Sequence, residues 1–376
     1  MSTKIIISGG GTGGHIFPAI AIAGALRQAC PDVEILFVGA EGRMEMEKVP
    51  AAGYPIVGLP VIGIERKLFS AKNLSAPVKL LTSLRRAAAI VRTFAPDVVV
   101  GVGGYASAPT LWAAQRRGIP TLIQEQNSYA GLTNKLLARR AKKVCVAYEG
   151  MERFFPQKKI VFTGNPVRQD LHHVASLRDE AVAYFGLKPD KKTILIVGGS
   201  LGARTLNESI LRSLNYIKTA DVQLLWQTGE RYRQEIHSRF DGQACENIKV
   251  MSFISRMDYA YAAADVVVSR AGAGAIAELC VAQKPCILIP SPNVAEDHQT
   301  ANATALLQKG AALLFPDGGA TVEMLIPIAT RLASDEEKLK ELTRNIGALA
   351  IENAAERIAR ECLGILAGNK FASSEQ

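Results

Sequence analysis

Long apolar runs are what this chain most plainly lacks. None approaches the ~20 residues that a membrane-spanning helix requires, so no integral membrane segment is expected. Aromatic side chains are scarce as well, 6% of 376 residues, while apolar residues make up 48%. A core of Ala, Val, Ile and Leu follows, the composition of a soluble α/β protein. The six cysteines (Cys30, Cys145, Cys245, Cys280, Cys286 and Cys362) show no metal-type pairing. They are expected to be buried free thiols of a reducing cytoplasm. No Asp-x-Asp pair is present that would place a metal on a diphosphate. Met1-Ser2-Thr3-Lys4 runs straight into a strand, so no signal peptide is expected.

Acidic residues are short in the first half only. Through Arg168 there are 22 basic and 10 acidic residues, a net +12; the remainder has 22 and 25, a net −3. The overall +9 therefore belongs to the first half. Such asymmetry points to an anionic partner there: membrane, nucleic acid or phosphorylated substrate. The length exceeds one ordinary core and predicts two domains of comparable size.

What the chain does have is glycine loops placed between strands and helices. The most telling stretch runs from Asp265 to Asn302. Asp265 to Ser269 reads as a buried parallel strand. Arg270-Ala271-Gly272-Ala273-Gly274 then opens a helix carrying one carboxylate, Glu278. Strand, glycine turn and helix start aim free backbone N–H groups at an anion. A carboxylate accepts hydrogen bonds and repels phosphate, so its natural ligand beside a phosphate is a ribose diol. A second strand, from Cys286, ends in the polar loop Ser291 to Gln299, suited to sugar hydroxyls. Together these describe a nucleotide-sugar site; the plainer alternative is a glycine turn with a solvated Glu278.

The theme occurs three more times. Lys4 to Ser8 leads into Gly9 to Gly14 and His15; Asp97 to Gly101 leads into Gly103-Gly104-Tyr105; Thr193 to Val197 leads into Gly198-Gly199-Ser200. The first contains G-x-G-x-x-G with Glu41 after the next strand, which keeps a dinucleotide site open. His15 at a helix start is favoured in its neutral form and could accept a proton, or could simply cap the helix. The strand from Thr121 ends in Gln124-Glu125-Gln126-Asn127, polar groups where open α/β sheets place ligands. Ala95-Pro96-Asp97-Val-Val-Val is answered by Ala263-Ala264-Asp265-Val-Val-Val, and Pro120-Thr-Leu-Ile by Pro285-Cys-Ile-Leu-Ile. Two similarly wound Rossmann-like halves are the simplest account. A helix from Pro77 carries Leu80, Leu84, Ala87 and Val91 on one side, preceded by the basic and apolar mixture Arg66-Lys67-Leu68-Phe69.

Taken in order, Gly10 to His15, Gly103-Gly104-Tyr105, Glu125-Gln126-Asn127, Gly164-Asn165-Pro166-Val167-Arg168, Gly198-Gly199-Ser200 and the Ser269 to Glu278 loop resemble the MurG family. That family adds N-acetylglucosamine to lipid-linked muramoyl-pentapeptide in peptidoglycan synthesis. The resemblance implies the GT-B fold: two Rossmann-like α/β domains facing across a cleft, with a C-terminal helix returning to the first. The expected domains are residues 1–164 for the lipid acceptor and membrane, 165–345 for the donor, and 346–376 for the returning helix. The donor implied is UDP-N-acetylglucosamine. Ile254 would read uracil by its backbone, and Glu278 would hold the ribose. Ser200, Ala273, Gly274, Ala275 and Arg168 would take the diphosphate. Gln299, Asn127 and the loop Thr12, Gly13, Gly14 would reach the sugar. The family often has paired glutamines where this chain has His298-Gln299, which leaves the role of His298 open.

The acceptor implied is undecaprenyl-linked muramoyl-pentapeptide, near Gly103, Gly104 and Tyr105. The reaction implied is inverting attack by its 4-hydroxyl, with His15 as first candidate base and Glu125 as second. No metal, no cofactor and no nucleic-acid partner are implied. Arg66, Lys67, Leu68 and Phe69 are the expected contact with an anionic inner leaflet, giving a peripheral place on the cytoplasmic face of the cell membrane. Competing readings are a sugar-nucleotide 2-epimerase of the same architecture, a nicotinamide oxidoreductase using Gly9 to Gly14 and Glu41, and a catalytically silent binding scaffold.

Overall fold

The computed structural model describes residues 2–374 apart from 12, 62–70, 200, 241–244 and 295–296, with the backbone alone at 71–77, 169 and 368–374. The chain forms two compact units, one of Met1–Val167 with Asn353–Gln376 and one of Arg168–Glu352. These borders fall a few residues beyond the 164/165 and 345/346 junctions expected from the sequence.

The first unit contains strands β1 (Lys4–Ser8), β2 (Glu34–Ala40), β3 (Ile56–Leu59), β4 (Val98–Gly101), β5 (Thr121–Glu125), β6 (Lys143–Val146) and β7 (Ile160–Phe162). Its first five helices are α1 (Gly13–Ala29), α2 (Glu45–Ala51), α3 (Ala71–Phe94), α4 (Ser107–Arg116) and α5 (Leu132–Ala138). Helix α3 thus starts ahead of Pro77. The second unit contains β8 (Lys192–Val197), β9 (Val222–Gln227), β10 (Ile248–Met251), β11 (Val266–Ser269), β12 (Cys286–Leu288) and β13 (Leu313–Leu314). Around them lie α6 (Arg178–Phe185), α7 (Arg204–Arg212), α8 (Leu214–Thr219), α9 (Arg233–Phe240), α10 (Met257–Ala263), α11 (Ala273–Val281), α12 (His298–Gln308), α13 (Gly319–Ser334) and α14 (Glu336–Gly347). The last helix, α15 (Ala354–Ser374), belongs to the first unit.

Both sheets are parallel and wound alike: β3-β2-β1-β4-β5-β6-β7 in one, β10-β9-β8-β11-β12-β13 in the other. The repeat read in the sequence has a hydrogen-bonding basis. Asp97 Oδ2 accepts from Lys4 N at 2.8 Å, and Asp97 N donates to Lys4 O at 2.8 Å. In the second unit Asp265 Oδ2 accepts from Thr193 N at 2.7 Å, and Asp265 N donates to Thr193 O at 2.8 Å. Each aspartate thus clamps the start of a central strand, satisfying an N–H that the ladder leaves over. The two sheets switch direction at the same place, beside β1 and β8, and ligands bind outside the strand carboxyl ends at such points.

Because helices cover both faces of a parallel sheet, its central strands are apolar throughout. In β1, Ile5 and Ile7 face a cluster with Ile22, Leu26, Ile358 and Cys362, while Ile6 faces Val91, Val99 and Leu111. Ile194, Ile196, Val266, Val268, Leu325 and Ala329 share the core of the second unit. Helix α15 packs on α1 and closes the first unit's core, with Ile358 and Cys362 fully buried. Truncating such a side chain removes its transfer energy and leaves a cavity, typically costing 2–5 kcal/mol. Ile358→Ala is therefore expected to destabilise the first unit by about 2–5 kcal/mol, read as a lowered midpoint in urea unfolding. An unchanged midpoint would mean that α15 is not part of the core.

Candidate functional site

Each unit gathers its glycine loops at the carboxyl end of its sheet, and the two ends differ in chemistry. In the second unit the chain leaves β11 through Arg270 and Ala271 into α11, whose N-cap, Gly272, makes no side-chain cap bond. The first N–H groups of α11 are left to Ala273, Gly274 and Ala275, and a methyl group on Gly272 or Gly274 would meet nothing within 4 Å. An open, uncapped helix start is an anion seat.

One helical turn further in, Glu278 Oε2 accepts from the hydroxyl of Tyr261 at 2.9 Å. Arg168 Nε lies 3.9 Å from Glu278 Oε1 and 3.7 Å from Asp170 Oδ1. Both Nε and Nη2 of Arg168 are buried without a hydrogen-bond partner. Orphaned charged donors cost free energy unless something else accepts from them, and a phosphate would. Burial pushes the Glu278 carboxyl above its usual value, assisted by the charge of Asp170 and opposed by Arg168 and the Tyr261 hydrogen bond. Burial likewise raises the Tyr261 phenol, with Glu278's negative charge adding to the effect, so it remains a donor.

The loop after β8 is shaped by close backbone approach. Gly202 has φ +76°, and a Cβ there would lie 2.1 Å from Thr228 O; Gly229 has φ +84°, and its Cβ would lie 2.2 Å from Gly202 N. No other residue fits at either place. Gln227, at the end of β9, ties this loop to the next: its Nε2 donates to Gly199 O at 3.1 Å and its Oε1 accepts from Ile254 N at 2.9 Å. The N–H of Ile254 is thereby engaged, and the backbone group it offers a base is its carbonyl. Gln299 Oε1 accepts from Ser291 N at 2.8 Å, leaving its amide NH₂ for a ligand. His298 opens α12, behind Asp297 in the left-handed conformation (φ 49°). Ser200 lies outside the described residues.

Arg270 is occupied internally. It donates to Ile289 O at 3.1 Å and Pro290 O at 3.3 Å, and pairs with Asp317 at 2.6 Å, while Thr205 also donates to Asp317. This network braces the starts of α7 and α11 against the end of β12. Sequence reasoning missed Gln227 and Asp317; a polar residue closing the apolar strand Val222 to Trp226 was the available signal for the first.

In the first unit the loops after β1 and β4 meet. A Cβ on Gly104 (φ +81°) would fall 2.1 Å from Gly10 O, and one on Gly103 (φ +91°) would fall 2.8 Å from His15 Cδ2 and 2.9 Å from Nε2. The imidazole therefore rests against the Gly103 backbone, half-buried at the start of α1. Gly13 and Gly14 begin the same helix, and Tyr105, which follows Gly104, is exposed. Glu125 is turned inward. Its Oε1 accepts from Asn127 N at 3.1 Å and Asn127 Nδ2 at 3.4 Å; its Oε2 accepts from Gly131 N at 3.1 Å and Asn134 Nδ2 at 2.8 Å. Four donors on a buried carboxylate organise the loop that carries Asn127. Glu41 pairs with Arg86 of α3, a use unlike the ribose contact of a dinucleotide site. Thr12, Arg66, Lys67, Leu68 and Phe69 lie outside the described residues.

With this geometry in hand, comparison with known proteins is direct. Residues 5–146 match the model of the glycosyltransferase family 28 N-terminal domain, and residues 193–358 that of its C-terminal domain. A protein of Parabacteroides distasonis, named UDP-N-acetylglucosamine--N-acetylmuramyl-(pentapeptide) pyrophosphoryl-undecaprenol N-acetylglucosamine transferase, is 58% identical over 96% of this chain and 98% of its own length. A Porphyromonas gingivalis protein of the same name is 53% identical over 98% of this chain and 97% of its own. Among solved structures, Acinetobacter baumannii MurG superposes with TM-score 0.74 at 30% identity, covering 96% of this chain and 99% of that one. A UDP-GlcNAc 2-epimerase from Neisseria meningitidis shares the fold alone, with TM-score 0.67 at 15% identity over 97% and 100% of the two chains.

The raised Glu278 carboxyl yields a pH signature. A hydroxyl donates more strongly to a carboxylate than to a neutral carboxyl, so affinity for a nucleotide sugar held by Glu278 is expected to climb as pH rises from the ordinary carboxylate value of 4.5. Stability of the ligand-free protein runs the other way: a carboxyl raised on folding contributes stability below its unfolded value, lost as pH rises through its folded one. Calorimetric titration across this range should show the climb in the parent and its loss in Glu278→Gln. The same climb in the variant would remove Glu278 from the ribose.

Proposed function

The chain belongs to glycosyltransferase family 28, and within it to the MurG family with the GT-B fold, and we propose that it completes a lipid-linked disaccharide. It transfers N-acetylglucosamine from UDP-N-acetylglucosamine to the 4-hydroxyl of undecaprenyl-pyrophosphoryl-N-acetylmuramoyl-pentapeptide in peptidoglycan synthesis. The observation that carries this reading, beside the relatives, is the seat formed by the uncapped start of α11, the orphaned donors of Arg168 and the raised carboxyl of Glu278.

In this reading the donor lies on the second unit. The Ile254 carbonyl meets uracil, Glu278 the ribose, and Arg168 with the Ala273, Gly274 and Ala275 backbone the diphosphate. The same groups stabilise departing UDP, because preorganised donors at a helix start face the charge that develops there. Ser200, Gln299, Asn127 and Thr12 to Gly14 complete the donor contacts. The acceptor lies on the first unit, by Gly103, Gly104 and Tyr105. His15 takes the proton of the attacking hydroxyl, and Glu125, saturated by its four donors, holds the Asn127 loop. Incubation with UDP-N-acetylglucosamine, with and without the lipid acceptor, tests the reaction: UDP release is expected only with acceptor, whereas release of an epimer without it would favour the 2-epimerase.

A general base contributes roughly 10²–10⁴-fold to a rate. His15→Ala is expected to lose turnover on that order while binding UDP as the parent does. Near-parental turnover would leave His15 a helix cap.

The acceptor's lipid sets where the protein works. No helix among the described residues is long and apolar enough to cross a membrane. The first unit instead presents Val78, Leu80 and Leu81 on α3, 69%, 54% and 50% exposed, with Lys79, Arg85 and Arg86 also exposed. Leu80 was expected on the packed side of α3; it stands clear of the stripe formed by Ala87 and Val91. On α4, which packs on α3, Trp112 is exposed under the guanidinium of Arg116, 5.2 Å from its ring. On α5, packed on α4, Leu132 and Leu136 are 63% and 67% exposed, beside Arg139 and Arg140. Apolar side chains ringed by cations fit an anionic leaflet, each cation contributing about 1 kcal/mol. Sedimentation with anionic vesicles is expected to be salt-sensitive and weakened by Leu80→Ser with Leu81→Ser. Binding indifferent to both would place the contact elsewhere, the 66–69 segment included.

A further inference from the structure

Glu45 is a buried carboxyl of the first unit that no role above uses. It opens α2, in a segment (Glu41 to Lys48) whose other charged residues are at the surface, yet it is 1% exposed. Its Oε1 accepts from Gly11 N at 2.9 Å and from Ala40 N, at the end of β2, at 2.9 Å. Its Oε2 is buried without a partner. Two glycines make room for it: a methyl group on Gly10 would lie 2.1 Å from Oε1, and one on Gly39 would lie 2.7 Å from Cγ. Gly10 in turn carries the carbonyl against which Gly104 packs, and the neighbouring Gly103 is the floor under His15. One carboxylate therefore sets the path of the first glycine loop, and that loop sets the second loop and the imidazole.

We infer that Glu45 is a positioning residue of the acceptor side, an inference that rests on the transferase reading: its Oε1 serves as an internal hydrogen-bond acceptor for the loop after β1. In a phosphate-binding loop of this kind the glycine N–H groups point at the ligand. Here the Gly11 N–H is already engaged by Glu45 Oε1 behind the loop. The loop is held in its bent form without a ligand, and its anion-binding capacity at Gly11 is filled from within. What it presents to the substrate is the start of α1 with His15, suited to a neutral hydroxyl, and not a cradle for a dinucleotide.

The role depends on where the oxygen sits more than on its charge, which a variant series can separate. Glu45→Gln keeps an acceptor oxygen at the right reach; Glu45→Asp keeps the charge but falls one methylene short; Glu45→Ala keeps neither. Turnover is to be expressed per UDP-binding site, counted by calorimetry on the same sample, so that a merely destabilised protein drops out of the comparison. With UDP-N-acetylglucosamine and the lipid acceptor, Glu45→Asp and Glu45→Ala are expected to lose about 30-fold or more in kcat, with affinity for UDP unchanged. Glu45→Gln is expected to stay within about 10-fold of the parent. Should Glu45→Ala not fold, the order of Gln above Asp decides alone. Equal kcat per UDP site across the series, Asp matching or exceeding Gln, or loss of UDP binding along with kcat would each overturn the assignment. A parent protein that binds UDP yet transfers no sugar would instead overturn the transferase reading.

Discussion

Backbone approaching backbone is the constraint on which both units depend. In each Rossmann-like sheet the loops after the two central strands leave in opposite directions, and a ligand must reach main-chain N–H groups between them. That requires the loops to touch one another through bare Cα atoms. In the first unit Gly104, after β4, lies on the carbonyl of Gly10, after β1; in the second the close approach is between the loops after β8 and β9, with Gly202 on Gly229 and the carbonyl of Thr228, at separations where a single methyl group would overlap its neighbour. All four have φ between +76° and +146°, so the same positions demand glycine twice over, for space and for conformation. Once the glycines are placed, the polar side chains nearby have little freedom. Glu45, Glu125, Gln227 and Asp317 each fasten a loop that the glycines bend.

This explains which parts of the molecule could be read from the sequence. Strand, glycine turn and helix start are local, and four such units stood out. The Asp97 and Asp265 repeats were visible as matching strings, and each proves to be the same pair of hydrogen bonds to β1 or β8. Glu278 was visible because a lone carboxylate in an Ala-rich helix has no local use. Glu45 was not, because it stands among Arg43, Glu47 and Lys48, charged neighbours that are exposed and give no local sign that it alone is buried. Its burial is decided by Gly10 and Gly39, which are distant in sequence or hidden inside a strand. An isolated glycine in a strand signals close approach, and Gly39 was that signal. Leu80 shows the opposite failure. Helical periodicity put it on the packed stripe, but periodicity does not tell where the support beneath a helix ends.

Glu125 illustrates how the type of residue misleads when its partners are unknown. A glutamate at the carboxyl end of a central strand is well placed for catalysis, and the strand's end was rightly a place to look. Yet both of its oxygens face donors from its own loop, two from Asn127, one from Gly131 and one from Asn134. Those four bonds hold a segment of ten residues in one conformation, which suits a support better than a group that must gain and lose a proton at each turnover. His15, at the start of α1, is half-buried and rests on the Gly103 backbone.

The two strand ends also differ in which backbone donors are already occupied, and this is where one architecture used twice comes to hold two chemistries. In the second unit the start of α11 is uncapped, and beside Glu278, one turn in, stands Arg168, whose buried Nε and Nη2 are without acceptors. Glu278 and Asp170 stand 3.9 and 3.7 Å from its Nε, beyond hydrogen-bond reach, and leave those donors open. Such a site is incomplete until an anion arrives. In the first unit the loop after β1 already has its Gly11 N–H occupied, because Glu45 Oε1 accepts from it from behind. A negative ligand gains less there, and a neutral hydroxyl beside an imidazole loses nothing. The charged half of the proposed reaction, departure of the diphosphate, and the neutral half, attack by a sugar hydroxyl, thus fall to the unit whose loop chemistry matches each.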